Sequence, residues 1–215
     1  MIDLTQLAAA IERGDRESAR NLTRQAIDEG RPPQEILDAM VGAMDVVGRK
    51  FQAHEVFVPE MLIAARAMKE SIALLEPLLV QAGIRPVAKA VIGTVEGDLH
   101  DIGKNLVAMM WRSANIEVID LGANVAPQKF LDAVRLHAPQ IVGLSALLTT
   151  TMPAIRRTVE AFRAAGGPLP RIVIGGAPVT PQYATEVGAD GYAPDAASAV
   201  ELARNLLGLH PETSS

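Results

Sequence analysis

Asp98, His100 and Gly103 stand in the run Asp98-Leu99-His100-Asp101-Ile102-Gly103, directly after the apolar stretch Ala90-Val91-Ile92-Gly93-Thr94. An apolar stretch that gives way to a polar, glycine-bearing run marks the end of a strand and the start of a helix. A histidine on such a loop can present one ring nitrogen to a ligand. A carboxylate two residues earlier can hold the other nitrogen and so fix the tautomer and the ring orientation. That is how a protein offers an imidazole to a metal. An Asp-x-His pair alone is an ordinary loop pattern; its position after a strand gives it weight.

The elements needed to position this loop fall into two halves. Up to about residue 82 the periodicity is helical throughout. Leu4, Leu7, Ala8 and Ile11 recur at helical spacing, and Asp15 reads as the N-cap of a second helix ending at Gly30. Pro32-Pro33 suits the first turn of a third helix, and a fourth starts near Pro59. Four amphipathic helices with short connections make a small bundle. Residues 83–87 read as a linker, with domain motion expected about Gly83–Pro86, and 209–215 as a tail. Between them, residues 88–208 alternate apolar strands with amphipathic helices. The strands are expected at Ala88–Thr94, Ile116–Asp120, Ile141–Leu144, Arg171–Ile174 and near Gly191-Tyr192. Such a series folds into a mostly parallel sheet covered on both faces, with ligands beyond the carboxyl ends of the strands. The unusual residues follow those ends: the Asp98–Gly103 loop, then Ser145 through Thr151, then Gly175-Gly176-Ala177, then Asp195-Ala196. Small residues there leave room for something close to the backbone.

Composition narrows the possibilities. The chain has 215 residues, 49% of them hydrophobic, so it can build a substantial core. The net charge is −5 with no basic tract, which argues against nucleic-acid binding. With no cysteine, disulfides, zinc–thiolate sites and iron–sulfur clusters are excluded. The N-terminus lacks a signal-peptide pattern, and no uncharged apolar run approaches a membrane span; a cytoplasmic protein without membrane partners is expected. His54, His137 and His210 read as surface or loop residues, Trp111 as packing, and Met40, Met44, Met61 and Met68 as core stripes. Gly175-Gly176 would also serve as a simple bend, and Ser145 and the threonines as helix caps. Neither a Gly-x-Gly-x-x-Gly fingerprint nor a phosphate-binding P-loop is present.

Asp98-x-His100-x-x-Gly103, followed by Ser145-x-Leu147 and Gly175-Gly176, resembles the cobalamin-binding signature. The stretches Glu96 to Asn105, Gly143 to Thr151 and Gly188 to Ala196 strengthen the match. Phe57-Val58-Pro59-Glu60-Met61 and Ala65-Arg66-Ala67-Met68-Lys69 resemble the helical cap of methionine synthase and of the corrinoid proteins of methyltransferase systems. The resemblance implies an α/β fold: a four-helix cap followed by a doubly wound, Rossmann-like parallel sheet of flavodoxin type with five strands. It implies cobalamin or a related corrinoid, with His100 as the lower axial ligand of cobalt in place of the cofactor's own base. Asp98 would accept the other ring N–H. A hydroxyl from Thr149, Thr150 or Thr151 would back it, Thr151 being the first choice by spacing. Gly97, Leu99, Asp101, Ile102, Gly103, Leu147, Thr149 and Ala177 would line the cofactor. Ser145 would hydrogen-bond the buried nucleotide base, Gly175 and Gly176 would leave room for that tail, and Ala196 would lie near it. Phe57, with Val58 and Met61 behind it, would cover the upper face.

The resemblance further implies a stand-alone carrier of a methyl group on cobalt that does not turn over alone. Its partners would be a donor-specific methyltransferase, an acceptor methyltransferase using tetrahydrofolate or a thiol coenzyme, and a reductive activase. The alternatives are a cobalamin-dependent sensor or photoreceptor module, and the small subunit of an adenosylcobalamin mutase. The first normally carries a DNA-binding module and a Trp in its bundle; the second normally lacks the cap.

Overall fold

The computed structural model describes residues 2–209, and it separates into two compact units. His210 and all of the expected tail except Leu209 lie outside the described residues.

The segment up to Pro86 is helical: α1 (Leu4–Glu12), α2 (Arg16–Asp28), α3 (Pro33–Gln52) and α4 (Val58–Gln81). Local chemistry sets its boundaries. The Asp15 carboxylate caps α2 by accepting Ser18 N–H at 3.1 Å. Pro33 opens α3, where its missing N–H costs nothing. The Glu60 carboxylate accepts Phe57 N–H at 3.0 Å and fixes the entry into α4. Helix α4 packs on α2 and α3, and α1 on α2 and α3. Met40, Met44, Met61 and Met68 are all buried, as their helical spacing predicts.

The second unit begins at Val87 and alternates β1 (Ala88–Thr94), α5 (Ile102–Ser113), β2 (Ile116–Asp120), α6 (Pro127–His137), β3 (Ile141–Ser145), α7 (Met152–Ala165), β4 (Arg171–Gly175), α8 (Pro181–Val187), β5 (Gly191–Tyr192) and α9 (Ala196–Leu207). The five strands form one parallel sheet in the order β2-β1-β3-β4-β5. This is the doubly wound, flavodoxin-type order. Strands β3 and β4 each run one residue beyond the expected end, because Ser145 still pairs with Gly175. Val91, Val142, Leu144, Ile172 and Ile174 meet Phe130, Ile155 and Phe162 in the core. Trp111 is fully buried, and its indole N–H donates to Ala199 O at 3.0 Å. A Cβ on Gly143 would stand 3.0 Å from the Trp111 ring, so glycine in the central strand makes space for it.

Strand order reverses between β1 and β3, whose last residues Thr94 and Ser145 are paired. The loops that leave these two strands therefore flank the crevice where this architecture binds ligands. Among the described residues, no helix is long and apolar enough to cross a membrane.

Candidate functional site

The loop after β1 is tightly built. Val95 still pairs with Val125, Gly97 turns the chain with φ 83°, and Asp98 N–H returns to Val95 O at 3.1 Å. The Thr94 hydroxyl donates to His100 O at 3.0 Å and ties the far side of the loop to the end of the strand. Within this frame Asp98 is fully buried, while the His100 side chain is 51% exposed.

The Asp98 carboxylate is shared between two loops. Oδ1 accepts His100 N–H at 3.0 Å and pairs with His100 Nδ1 at 2.8 Å. Oδ2 accepts Leu147 N–H at 2.7 Å and the Thr151 hydroxyl at 2.7 Å, with Leu148 N–H farther off at 3.4 Å. Burial alone would raise the pKa of this carboxyl. The hydrogen bonds from His100 N–H, the Thr151 hydroxyl, Leu147 N–H and the His100 ring outweigh burial and hold it well below the usual carboxylate range. A carboxylate that stays ionised keeps the shared proton on Nδ1. In the neutral ring this leaves the lone pair on Nε2.

Of the three threonines on the second loop, Thr151 reaches Asp98; Thr149 and Thr150 lie exposed in the turn. Thr151 occupies the N-cap position of α7 but its side chain makes no capping bond; the hydroxyl donates to Asp98, with Leu148 O as its other acceptor within reach. The capping alternative therefore does not describe this residue.

Around the imidazole lies apolar surface open to solvent: Leu99 is 75% exposed and Ile102 76%, and Leu147 and Leu148 are exposed on the facing loop. Gly103 lies in the first turn of α5, and a Cβ there would meet no neighbouring side chain within 4 Å. Glycine inside a helix lowers stability relative to alanine, and packing gives no reason for it here. Asp101 accepts Asn105 N–H at 2.8 Å and fastens the first turn of that helix. Ser145 is half-buried at the end of β3.

Gly175 and Gly176 answer first to the protein's own backbone. A Cβ on Gly175 would come 2.8 Å from Ala193 O. One on Gly176, whose φ is 122°, would come 1.9 Å from Ala146 O. Close approach of the loops after β3, β4 and β5 thus requires both glycines, whatever else lies near them. Ala177 is exposed beside them. Ala196 is buried in the first turn of α9, below the Asp195 cap. In the helical unit Phe57 is 62% exposed, Val58 half-buried and Met61 fully buried.

Sequence reasoning passed over three residues that hold the His100 loop. They are Asn124, Lys104 and Asp120, and all stand among residues of ordinary type. The one available signal was an asparagine at a loop position of positive φ, and φ is not readable from one sequence.

Two family models match, both described as "B12 binding domain": one over residues 88–201, which carry the sheet and the His100 loop, and one over residues 4–76, the helical segment. The chain belongs to the B12-binding family. It is 37% identical to a corrinoid protein of Desulfitobacterium hafniense over 95% of this chain and 97% of the relative. It is also 37% identical to the trimethylamine corrinoid protein of Methanosarcina barkeri, over 92% and 94% of the two chains. Among solved structures, a chain of the methanol:cobalamin methyltransferase complex MtaBC from Methanosarcina barkeri superimposes with a TM-score of 0.83. That match has 29% identity and covers 98% of this chain and 82% of the other. As a member of this family the chain binds a corrinoid. The donor set fits one: a single oriented imidazole, an apolar rim around it, and open space above Gly103.

Proposed function

We propose that this protein carries a methyl group on a corrinoid cobalt between two methyltransferases, with His100 Nε2 as the axial ligand supplied by the chain and the cofactor's own base displaced. One observation carries the reading: His100 Nδ1 lies 2.8 Å from a fully buried Asp98, and the ring remains half-exposed. A single imidazole would suit a metal most of whose ligands come with a macrocycle and which keeps one position for the transferred group. The bound corrinoid would supply a centre that accepts and releases a methyl group.

The chain's own residues then have separable tasks. Asp98 keeps the proton on Nδ1 and so keeps the ligating nitrogen free. Thr151 and the amides of Leu147 and Leu148 hold Asp98 in place. Leu99, Ile102 and Leu147 offer an apolar seat that excludes water, and Gly103 lets a large flat group approach. Gly97, Asp101, Ser145, Thr149, Ala177 and Ala196 would complete the cofactor's surroundings. Phe57 and Val58 would cover the reactive face; Met61 is spent on packing. The names of the relatives support a methyltransferase partner on the donor side. A donor-specific methyltransferase of the methylamine or methanol class would load the carrier. A second enzyme would pass the methyl to tetrahydrofolate or a thiol coenzyme, and a reductive activase would restore oxidised cobalt.

The test is electron paramagnetic resonance of the Co(II) form of protein loaded with cobinamide, which carries no nucleotide base of its own. Nitrogen splitting should be present in the parent and lost in His100→Ala; splitting that survives the substitution would remove His100 as the ligand. Retention of methylcobalamin over adenosylcobalamin after desalting in the dark separates a methyl carrier from a sensor or a mutase subunit.

A further inference from the structure

The segment after β2 holds the His100 loop from outside the Asp98–Thr151 pair. Leu121 N–H donates to Ile92 O, Thr94 N–H to Gly122 O, and Val125 N–H to Thr94 O, so pairing with β1 continues past the end of β2. Asn124 then grips the upstream end of the loop. Its backbone N–H donates to Asp98 O at 2.9 Å, and its side-chain Oδ1 accepts Gly97 N–H at 2.8 Å. It does this from a left-handed backbone, φ 54°, which asparagine and glycine adopt most readily. Asp120 grips the downstream end. Its carboxylate accepts Lys104 Nζ at 2.7 and 2.6 Å, and Oδ1 also accepts Gly122 N–H at 2.9 Å. The Lys104 side chain is buried, and its Nζ donates to Asn105 Oδ1 as well. Asn105 Nδ2 donates in turn to Asp101 Oδ2 at 3.0 Å. Polar contacts thus run unbroken from Asp120 to the residue beside His100.

We infer that Asn124 and Asp120 are positioning residues for His100: one fastens each end of the loop, so that the imidazole is held in place before any ligand arrives. The inference rests on the reading of His100 as the axial ligand. Asp98 orients the ring, but a side-chain contact does not fix the backbone that carries it. A ligating group must be placed to within about 0.5 Å, which calls for support behind the ligand itself. The two grips supply that support from a strand and loop that take no other part in the site.

Three variants test it. Asn124→Gly keeps the left-handed backbone and removes only the side-chain acceptor. Asn124→Asp keeps both. Lys104→Met/Asp120→Leu removes the ion pair without leaving a buried charge. Each is followed by thermal unfolding of the apoprotein, by titration with hydroxocobalamin in the dark, and, after loading with cobinamide, which has no base of its own, by the nitrogen-split fraction of the reduced Co(II) spectrum. Asn124→Gly should lower Tm by no more than about 4 °C, raise Kd about fivefold because ordering the loosened loop then falls on binding, and lower the nitrogen-split fraction. Asn124→Asp should restore both readings. The double variant should lower the split fraction in the same direction. Parent-like affinity and splitting in Asn124→Gly, or in the folded double variant, would overturn the role of that grip. So would an affinity loss that only follows a loss of Tm and is not restored by Asn124→Asp. In each of these cases His100→Ala still abolishes the splitting, and the axial-ligand reading stands. Splitting unchanged in His100→Ala would overturn that reading and this inference together.

Discussion

Asp98→Asn keeps the size of the side chain and removes its charge, and the surrounding hydrogen bonds dictate the outcome. The carboxylate accepts His100 N–H and Nδ1–H on one oxygen, at 3.0 and 2.8 Å, and Leu147 N–H and the Thr151 hydroxyl on the other, both at 2.7 Å. An amide has one acceptor oxygen and one donor group. If the oxygen stays with His100, the new NH2 confronts Leu147 N–H. If the oxygen stays with Leu147, the NH2 confronts His100 N–H, and the ring must take the other tautomer, which turns Nε2 into a donor. Either way one backbone donor aimed into a buried site loses its acceptor. That costs about 1–3 kcal/mol, and losing the charge on the remaining bonds adds about 1 kcal/mol. A working figure is about 3 kcal/mol. Trp111, the single tryptophan of the chain, is fully buried in the same unit, so its fluorescence reports this unit's unfolding. With a urea slope of about 2 kcal/mol per molar, the midpoint of the apoprotein should fall by about 1.5 M. A fall of less than about 0.3 M would refute the reasoning, because it would mean that these bonds contribute almost nothing net.

The fold holds the Asp98 carboxyl below the usual range. Its stabilising contribution is therefore present above the ordinary value of about 3.9 and is lost as pH falls further; the gap in urea midpoint between parent and Asp98→Asn should close on acidification below about pH 4 and stay open at neutrality. Thr151→Val keeps the shape but removes a donor to Asp98, so the urea midpoint should drop by an amount equivalent to about 1.5 kcal/mol, and Thr151→Ser should recover most of it. Gly103→Ala should stabilise the apoprotein by about 0.5–1 kcal/mol while weakening hydroxocobalamin in a dark titration; undiminished affinity would show that nothing approaches that backbone. Gly176→Ala drives a Cβ to 1.9 Å from Ala146 O at φ 122° and should cost more than about 3 kcal/mol, read as a loss of soluble folded protein on expression.

The sequence alone determined much of this. Helical periodicity up to residue 82, then apolar runs of strand length between helices, gave the order of elements. Four of those features are physically local. Asp15 caps, Pro33 starts a helix, and β1 and β2 span their apolar runs from Ala88 to Thr94 and from Ile116 to Asp120. The Asp98–His100 pair is local too, since two residues on one loop meet without help from the rest of the chain. Tertiary structure decided what depends on separate segments. Spacing puts Thr151 ahead of Thr149 and Thr150 without excluding them; the turn after β3 sends only the last back to Asp98, a partner 53 positions away. The need for glycine at 175 and 176 comes from carbonyls of Ala193 and Ala146, which only the packed sheet brings near. Lys104 and Asp120 look like two ordinary charges until α5 and β2 fold them together, and Asn124 matters through a backbone angle that one sequence does not display. Local patterning determines which elements form, because propensity and capping act over a few residues. The site's second layer exists only once loops from different strands share one edge of the sheet.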